Sequence, residues 1–511
     1  MELARRYVTV IVVVMMALGA LAFIPGQAQA ITPIWTEETT MPQGATCFAY
    51  CKLSDGRVLM SGGYNQSEFS TLNDTYIYDP SAGSWTEMAS SPMKLYGSSA
   101  MAMPDGKVYV FGGYDTESGD HLTTAMIFDV SANTWTLGSD AMPDKRWNLA
   151  TAALDDTRIL IAGGQDIDAN LVLDTCYVYD IEEDTFTSTG VLPGGRAGGA
   201  IVEHDGYAYY LGGWDDSFTT SSIIFVYYPG SGNWYNQGNM PMEIVGHRAV
   251  YAQDGAVYFV GGSDSTGWTG VNSNKSYLLS MYDLSLHEIP ELDVSVRYAG
   301  LVELDGGELF MFGGHDGWSD NDKGYSLRIW SKEAWVDKST VGTGESLRVY
   351  VNIEFSFHGP VDIYSSILLA NDGIAYHYQE IYAEDGMIAS GLITVPTDLE
   401  PGTYELMFFY TGASTSLGGG NFDFEPFEIT VTAAPTLDDR LDDLEAQNQA
   451  LQDQLEQLGQ DLNDTQQDLA DARAELKDAT DAKLDAMIGY VILIMVIITL
   501  VIGVVILVRK K

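Results

Sequence analysis

The side chains best equipped for recognition chemistry recur at a regular interval along the chain. One set follows a pair of glycines each time: Tyr64-Asn65, Tyr114-Asp115, Gln165-Asp166, Trp214-Asp215, Ser263-Asp264 and His315-Asp316. A second set stands upstream of apolar runs and offers Lys94, Arg146, Trp147, Arg196, His247, Arg248 and Arg297. Aromatic faces stack on apolar ring surfaces, while carboxylates and guanidinium forks make strong, often bidentate hydrogen bonds. Those residue types together suit a sugar or an acidic sugar. A plainer role is also open, because an Asp beside a glycine can serve only to cap its own turn.

Other chemistries are poorly served. The histidines, at 121, 204, 247, 287, 315, 358 and 377, are scattered, with no pair at ligand spacing for a transition metal. Asp166-Ile167-Asp168-Ala169-Asn170 and Asp320-Asn321-Asp322 could present oxygens to calcium, but neither has the spacing of a full calcium loop. Solvated acidic loops are the simpler reading, and no cofactor is expected. Cys47, Cys51 and Cys176 are too few and too odd in number for a disulfide framework, and read as small buried side chains. Lys and Arg number 25 against 71 Asp and Glu, a net charge of −46. Nucleic-acid binding is excluded on that balance, because phosphate contacts need a concentration of cations.

The elements that must position these residues are written as one phrase in six copies. RVLMSGG ends at Gly63, KVYVFGG at Gly113, RILIAGG at Gly164, YAYYLGG at Gly213, AVYFVGG at Gly262 and ELFMFGG at Gly314, in steps of 50, 51, 49, 49 and 52 residues. Each phrase is a buried strand stopped where the backbone needs positive φ or a close neighbour. Upstream stands a hairpin turn: Asp55-Gly56, Asp105-Gly106, Asp155-Asp156, Asp205-Gly206, Asp254-Gly255 and Asp305-Gly306. Downstream, a third strand ends in an aromatic and Asp at Tyr78-Asp79, Phe128-Asp129, Tyr179-Asp180 and Tyr282-Asp283, with Tyr227-Tyr228 in the fourth copy. Trp85, Trp135, Phe186 and Trp234 then open a fourth strand. Four strands per unit at a fixed period is the signature of a propeller.

Double glycine, spaced aromatic-Asp and then Trp resembles the kelch repeat, from about residue 32 to residue 330. The fifth copy departs in lacking the Trp, and the sixth ends near Trp330 without a fourth strand. Trp35-Thr36-Glu37 through Met41-Pro42 matches Trp85-Thr86-Glu87 through Pro92, so residues 33 to 42 are expected to complete the sixth blade and close the ring. The resemblance implies that the loops after Gly-Gly share one face with those entering the innermost strands, and that this face carries binding. Lys94, Arg146, Trp147, Arg196, Arg248, Arg297, Tyr64, Tyr114, Trp214 and His315 form the resulting ligand-binding set. In kelch units a basic residue also recurs as a structural partner between blades. Some kelch propellers are sugar oxidases that hold copper through Tyr and His, or sialic-acid epimerases. An extracellular carbohydrate-active enzyme is therefore the alternative to a binding head.

The fold class expected is mainly β: a six-bladed kelch-type β-propeller over residues 31–330, then an immunoglobulin-like β-sandwich over 331–433. The sandwich rests on alternating runs such as Ser346 to Glu354 and Gly402 to Tyr410, and on Pro396-Thr397-Asp398-Leu399-Glu400-Pro401-Gly402-Thr403-Tyr404, which is similar to the turn before a late immunoglobulin-like strand. Residues 1–30 carry the three parts of a signal peptide: Arg5-Arg6, an apolar run and Ala28-Gln29-Ala30. Residues 436–486 repeat leucines in heptads with Asn448 in the seam, a coiled-coil stalk that would favour a parallel homodimer. Residues 488–508 are apolar, long enough for a transmembrane helix, and residues 509–511 form a basic cytoplasmic stub. Asn65, Asn73, Asn274 and Asn463 lie in glycosylation triplets. The whole reads as a single-pass protein of the cell surface that binds an extracellular protein or glycan, with a surface-layer subunit as a structural alternative.

Overall fold

The computed structural model describes residues 33–265, 271–358, 361–371, 374–383, 388–415, 419–433 and, with interruptions, 446–467. The expected signal peptide, membrane span and basic stub lie outside the described residues. Among those residues, no helix is long and apolar enough to cross a membrane.

Six four-stranded antiparallel sheets follow one another in the chain. Blade 1 is made of Ala49–Lys52, Val58–Ser61, Thr75–Asp79 and Ser84–Met88, hydrogen-bonded in that order. Blades 2 to 5 repeat the pattern from first strands at Ser99–Ala102, Ala150–Ala153, Ala200–His204 and Arg248–Tyr251. Those first strands touch their neighbours in a closed circuit, and so line the axis. Blade 6 takes three strands, Gly300–Leu304, Glu308–Phe312 and Lys323–Arg328, from one end of the ring and Thr36–Thr40 from the other. Thr36 pairs with Ser326 and Thr40 with Lys323, and Trp35 is buried beside them with its indole donating to the Pro290 carbonyl at 2.9 Å.

The second strand of each blade is covered on both faces by neighbouring blades, which is why its sequence is continuously apolar. Val58–Ser61 and Ala256–Val260 are buried at every residue. Outermost strands such as Ser84–Met88 are mostly exposed and correspondingly polar. One expected placement is corrected. In the fifth copy the third strand is Ser276–Ser280, so Leu279-Ser280 holds the place of the aromatic-Asp pair, while Tyr282-Asp283 lies in the turn beyond and Tyr282 is 89% exposed. The three cysteines are free and buried, and Cys47 has φ 53°, a turn conformation outside any strand.

Beyond the ring stand two packed sheets. Trp330–Val336, Ser346–Phe355 and Ala389–Thr394 form one, and Thr340–Gly342, Phe427–Thr432, Gly402–Ser414, Asp362–Asn371 and Ile374–Ala383 form the other, with Gly419–Asn421 added to Gly402–Ser414. One hydrophobic cluster runs from Leu278 and Leu327 in the blades through Ile353 and Ile367 to Val431, so ring and sheets share a core. The hairpin turn of blade 5 is the joint. Gln253 donates from its side chain to the Asn421 carbonyl at 2.6 Å, and a Cβ on Gly255 would sit 2.3 Å from the Gly419 backbone. Asp254 is fully buried there, accepting from the Tyr258 hydroxyl and lying 3.2 Å from His358 Nε2 of the sandwich. The corresponding Asp55, Asp105, Asp205 and Asp305 are exposed.

Candidate functional site: an aromatic mouth over a closed backbone ring

Hairpin turns occupy one end of every blade, so the segments after Gly-Gly emerge at the other. There the residue after each Gly-Gly bridges the segment entering the first strand of the same blade: Thr46 to Tyr64, Tyr96 to Tyr114, Trp147 to Gln165, Ala197 to Trp214, Val245 to Ser263 and Arg297 to His315. Both loop sets are thereby locked together on one face.

Two rings of hydrogen bonds tie the blades at this end. The second glycine of each pair donates to the next blade: Gly63 to Leu95, Gly113 to Arg146, Gly164 to Arg196, Gly213 to Ile244, Gly262 to Val296 and Gly314 to Ala45, at 2.7–3.0 Å. Two residues further along, a smaller circuit closes on itself. Gly97 donates to Cys47, Asn148 to Gly97, Gly198 to Asn148, Gly246 to Gly198, Tyr298 to Gly246 and Cys47 to Tyr298, again at 2.7–3.0 Å. Each of these six residues has φ between 50° and 73°. Four are Gly or Asn, which adopt that conformation readily, while Cys47 and Tyr298 are held in it by the ring. Successive blades are therefore only one hydrogen bond apart at this level, and the circuit narrows the axis to a neck.

Rings of aromatic side chains lie over the neck. A Cβ on Gly97 would meet the Trp147 indole at 2.9 Å, one on Gly198 the Trp214 indole at 1.9 Å, and one on Gly246 the Tyr298 ring at 2.8 Å. Tyr64, Tyr96 and Tyr114 continue the arc: Tyr96 has its centroid 5.7 Å from Tyr64, 6.3 Å from Tyr114 and 5.0 Å from Trp147, and Trp147 is 6.4 Å from Trp214. The mouth so formed is a cavity of about 290 Å³ whose walls include Tyr96, Trp147, Trp214, Tyr298, Arg297 and His315. Arg297 is nearly buried, its guanidinium 5.9 Å from the Tyr298 ring. Burial pushes the Cys47 thiol up to about 12, so it is neither a nucleophile nor a charge at neutral pH. On the other side of the neck the first strands enclose a second cavity of about 240 Å³, whose lining includes Tyr50, Met101, Ile201 and Arg248.

This geometry agrees with the chain's likeness to known proteins. A family model described as the KLHDC2/KLHL20/DRC7 Kelch-repeats domain matches residues 44–262. The chain carries a kelch-repeat domain. Kelch-like protein 41b of Danio rerio is 27% identical over 151 residues, 30% of this chain, and the chain spans only 24% of the length of that curated relative. A solved structure described as "Structure of YjhT" aligns with a TM-score of 0.49 and 16% identity, over 57% of this chain and 96% of that one.

Within the ring the residues singled out from the sequence divide by register. Trp147, Trp214, Arg297 and His315 wall the mouth, with Tyr64 and Tyr114 stacked alongside. Arg248 lies in the cavity beyond the neck, its Nε donating to the Ala299 carbonyl at 2.7 Å. His247 is buried between blades and held near 3 by burial and by Arg248, hence neutral. Arg146 is also fully buried. It donates to the carbonyls of Gly163 and Thr175 at 2.9 and 3.1 Å and pairs with Asp144, so its charge is answered inside the protein. Arg196 donates to the Gly195 carbonyl at 2.6 Å with its guanidinium over Phe225. Lys94 pairs with Glu117 at 3.1 Å on the outside. Tyr96 and Tyr298 escaped the sequence reading. Tyr96-Gly97 repeats Trp147-Asn148 in position, which is the signal that marks Tyr96.

Among the described residues there is no cluster of three or more His, Cys, Asp or Glu placed to hold a metal ion. Asp168, from one acidic loop, pairs with Lys145 at 2.5 Å, and Asp320, from the other, lies 3.5 Å from His315. The amides of Asn65, Asn73 and Asn274 donate to the carbonyls of Gly44, Ser91 and Leu292 at 3.0 Å each, which ties down the atom a glycan would use. Asn463 is exposed on the helical segment.

Proposed function

We propose that this chain is a recognition protein of the cell surface, with the kelch-repeat propeller as its head and the aromatic mouth as the seat of its ligand. The carrying observation is a mouth floored by a closed backbone circuit and walled by Tyr96, Trp147, Trp214 and Tyr298, with Arg297 as the cation. A floor favours a projecting group that seats, and a volume of about 290 Å³ is at the small end for ligand pockets. A single residue of an extracellular glycan, or one bulky side chain of an extracellular protein, fits that size and chemistry. The two packed sheets serve as an immunoglobulin-like spacer, a reading supported by Tyr404, whose hydroxyl donates to the Glu400 carbonyl at 2.8 Å as in a tyrosine corner. The heptad stalk and the apolar run at residues 488–508 would hold the head off the membrane.

Screening the full chain on a glycan array and on an array of extracellular protein domains tests this reading. A ligand lost in Trp147→Ala/Trp214→Ala and in Arg297→Ala, but retained in Lys94→Ala, is the expected result. A ligand that binds all three variants equally puts the site elsewhere.

A further inference from the structure

The outer face of the larger sandwich sheet carries a second, separate feature. Along Asp362–Asn371 the odd residues Ile363, Ser365, Ile367 and Leu369 are buried, so Tyr364 and Ser366 point outward. Tyr364 pairs across to Tyr382, and Ser366 pairs with Glu380 on one side and Tyr410 on the other. Tyr364, Tyr378, Tyr382 and Tyr410 are 38, 52, 56 and 42% exposed, so four large aromatic side chains stand uncovered on one face. They form a laid-down surface. Tyr364 lies against Gly412, where a Cβ would meet its ring at 2.6 Å, and its centroid is 5.8 Å from that of Tyr410 with the planes 24° apart. Polar groups sit between the rings: the Tyr378 hydroxyl donates to Glu380 at 2.8 Å and accepts from the Ser366 hydroxyl at 3.1 Å. A shallow cavity of about 390 Å³ follows this tyrosine patch.

We propose that this platform is a binding site for a neutral polysaccharide. Near-parallel tyrosine faces suit the apolar C–H faces of pyranose rings, while Ser366 and the remaining lone pairs of Glu380 suit sugar hydroxyls. Charge selects among partners. Residues 361–432 contain no Lys or Arg, against five Asp and six Glu. An anionic glycan, an anionic lipid surface or a second copy of the same acidic face would therefore meet like charge without a countercharge. A basic peptide would find Glu380 as the patch's carboxylate, already engaged with Tyr378. The platform lies on the sandwich and does not depend on the mouth.

Electrophoresis of the full chain through gels carrying galactomannan, hydroxyethylcellulose or dextran tests this. The expected result is retardation by at least one of these neutral polymers, none by polygalacturonate, and no competition from oligolysine. Tyr364→Ala/Tyr410→Ala should weaken retardation at least tenfold, and Tyr364→Phe/Tyr410→Phe should keep most of it because the rings remain. Trp147→Ala/Trp214→Ala should leave it unchanged, which separates this site from the mouth. Absence of retardation by all three neutral polymers, retardation indifferent to the alanine pair, or displacement by oligolysine would each overturn the proposal.

Discussion

Arg146 and Arg297 are the same residue type at neighbouring registers of the same repeat, and one position separates their roles. Counted back from the left-handed residue of its own blade, Arg146 stands two places before Asn148 and Arg297 one place before Tyr298. The earlier place points between blades, where Leu95, Ile244 and Val296 stand in other copies; the later one faces the mouth. Basic residues near five of the six innermost strands were legible in the sequence, but their register was not. The anchor for counting is a Gly or Asn in four copies, and Cys47 and Tyr298, which the chain forces into the same conformation, disguise it in the other two. Removing the buried arginine should thus act on stability and leave the mouth intact. Arg146→Met strands Asp144, which also accepts from Thr175 and Tyr177 at 2.9 and 3.0 Å, and loses the bonds to two carbonyls. The expected cost is about 3–5 kcal/mol, the range for breaking a buried pair. Urea titration followed by tryptophan fluorescence reads it, and a loss under 1 kcal/mol would count against the clamp.

At the scale of elements, the double glycine shows why the blades were so readable. The second strand is apolar on both faces because it is buried on both, and its end is fixed by a contact that only glycine permits. At Gly163 a Cβ would stand 2.2 Å from the Arg196 carbonyl of the next blade, at φ 61°. Gly83, in an outer turn at the same φ of 61°, has nothing within 4 Å of the added atom. The pair separates backbone strain from contact. Gly83→Ala should cost about 1–2 kcal/mol for the left-handed conformation alone, whereas Gly163→Ala must in addition push two blades apart. Its melting temperature should fall by clearly more than that of Gly83→Ala; equal shifts would mean that the glycine is there for its φ only. Where such constraints are missing, the sequence misled. Leu279-Ser280 bears no mark of its strand end, so Tyr282-Asp283 drew attention three residues too late. Trp330 read as the last residue of the ring, although it begins the strand Trp330–Val336, because a residue that stitches two layers carries the signal of both. Its indole donates to Glu303 of blade 6 at 2.6 Å while its ring packs on Phe422 of the sandwich, 5.0 Å away.

At the scale of the molecule, that same joint ties the ring to the packed sheets. The six Asp-Gly-type turns look alike in the sequence, and nothing local distinguishes the buried Asp254 from its exposed counterparts; what singles it out is the sandwich laid over its turn. Beside it Glu303 accepts from Trp330 Nε1 and from the Gln253 backbone amide at 2.9 Å. Burial pushes the Glu303 carboxyl up to about 7, the two hydrogen bonds and Lys52 only partly offsetting it and the nearby Asp254 adding to it. The sign follows from linkage. A carboxyl whose folded value lies above its unfolded value of 4.5 favours the folded state most when protonated, so its contribution is fully present below pH 4.5 and is lost as pH rises through about 7. The total swing is at most about 3 kcal/mol, from the interval between the two values. Glu303→Gln keeps an acceptor for Trp330 and Gln253 but cannot titrate. Chemical denaturation of both proteins from pH 4 to 8 should therefore give a difference that moves in favour of the variant across that window. The added stability should appear in the transition that the ring and sandwich share, because Glu303 is bound to both. A pH-independent difference would mean that Glu303 titrates alike in the folded and unfolded protein, and that its burial between ring and sandwich does not weaken the joint as pH rises.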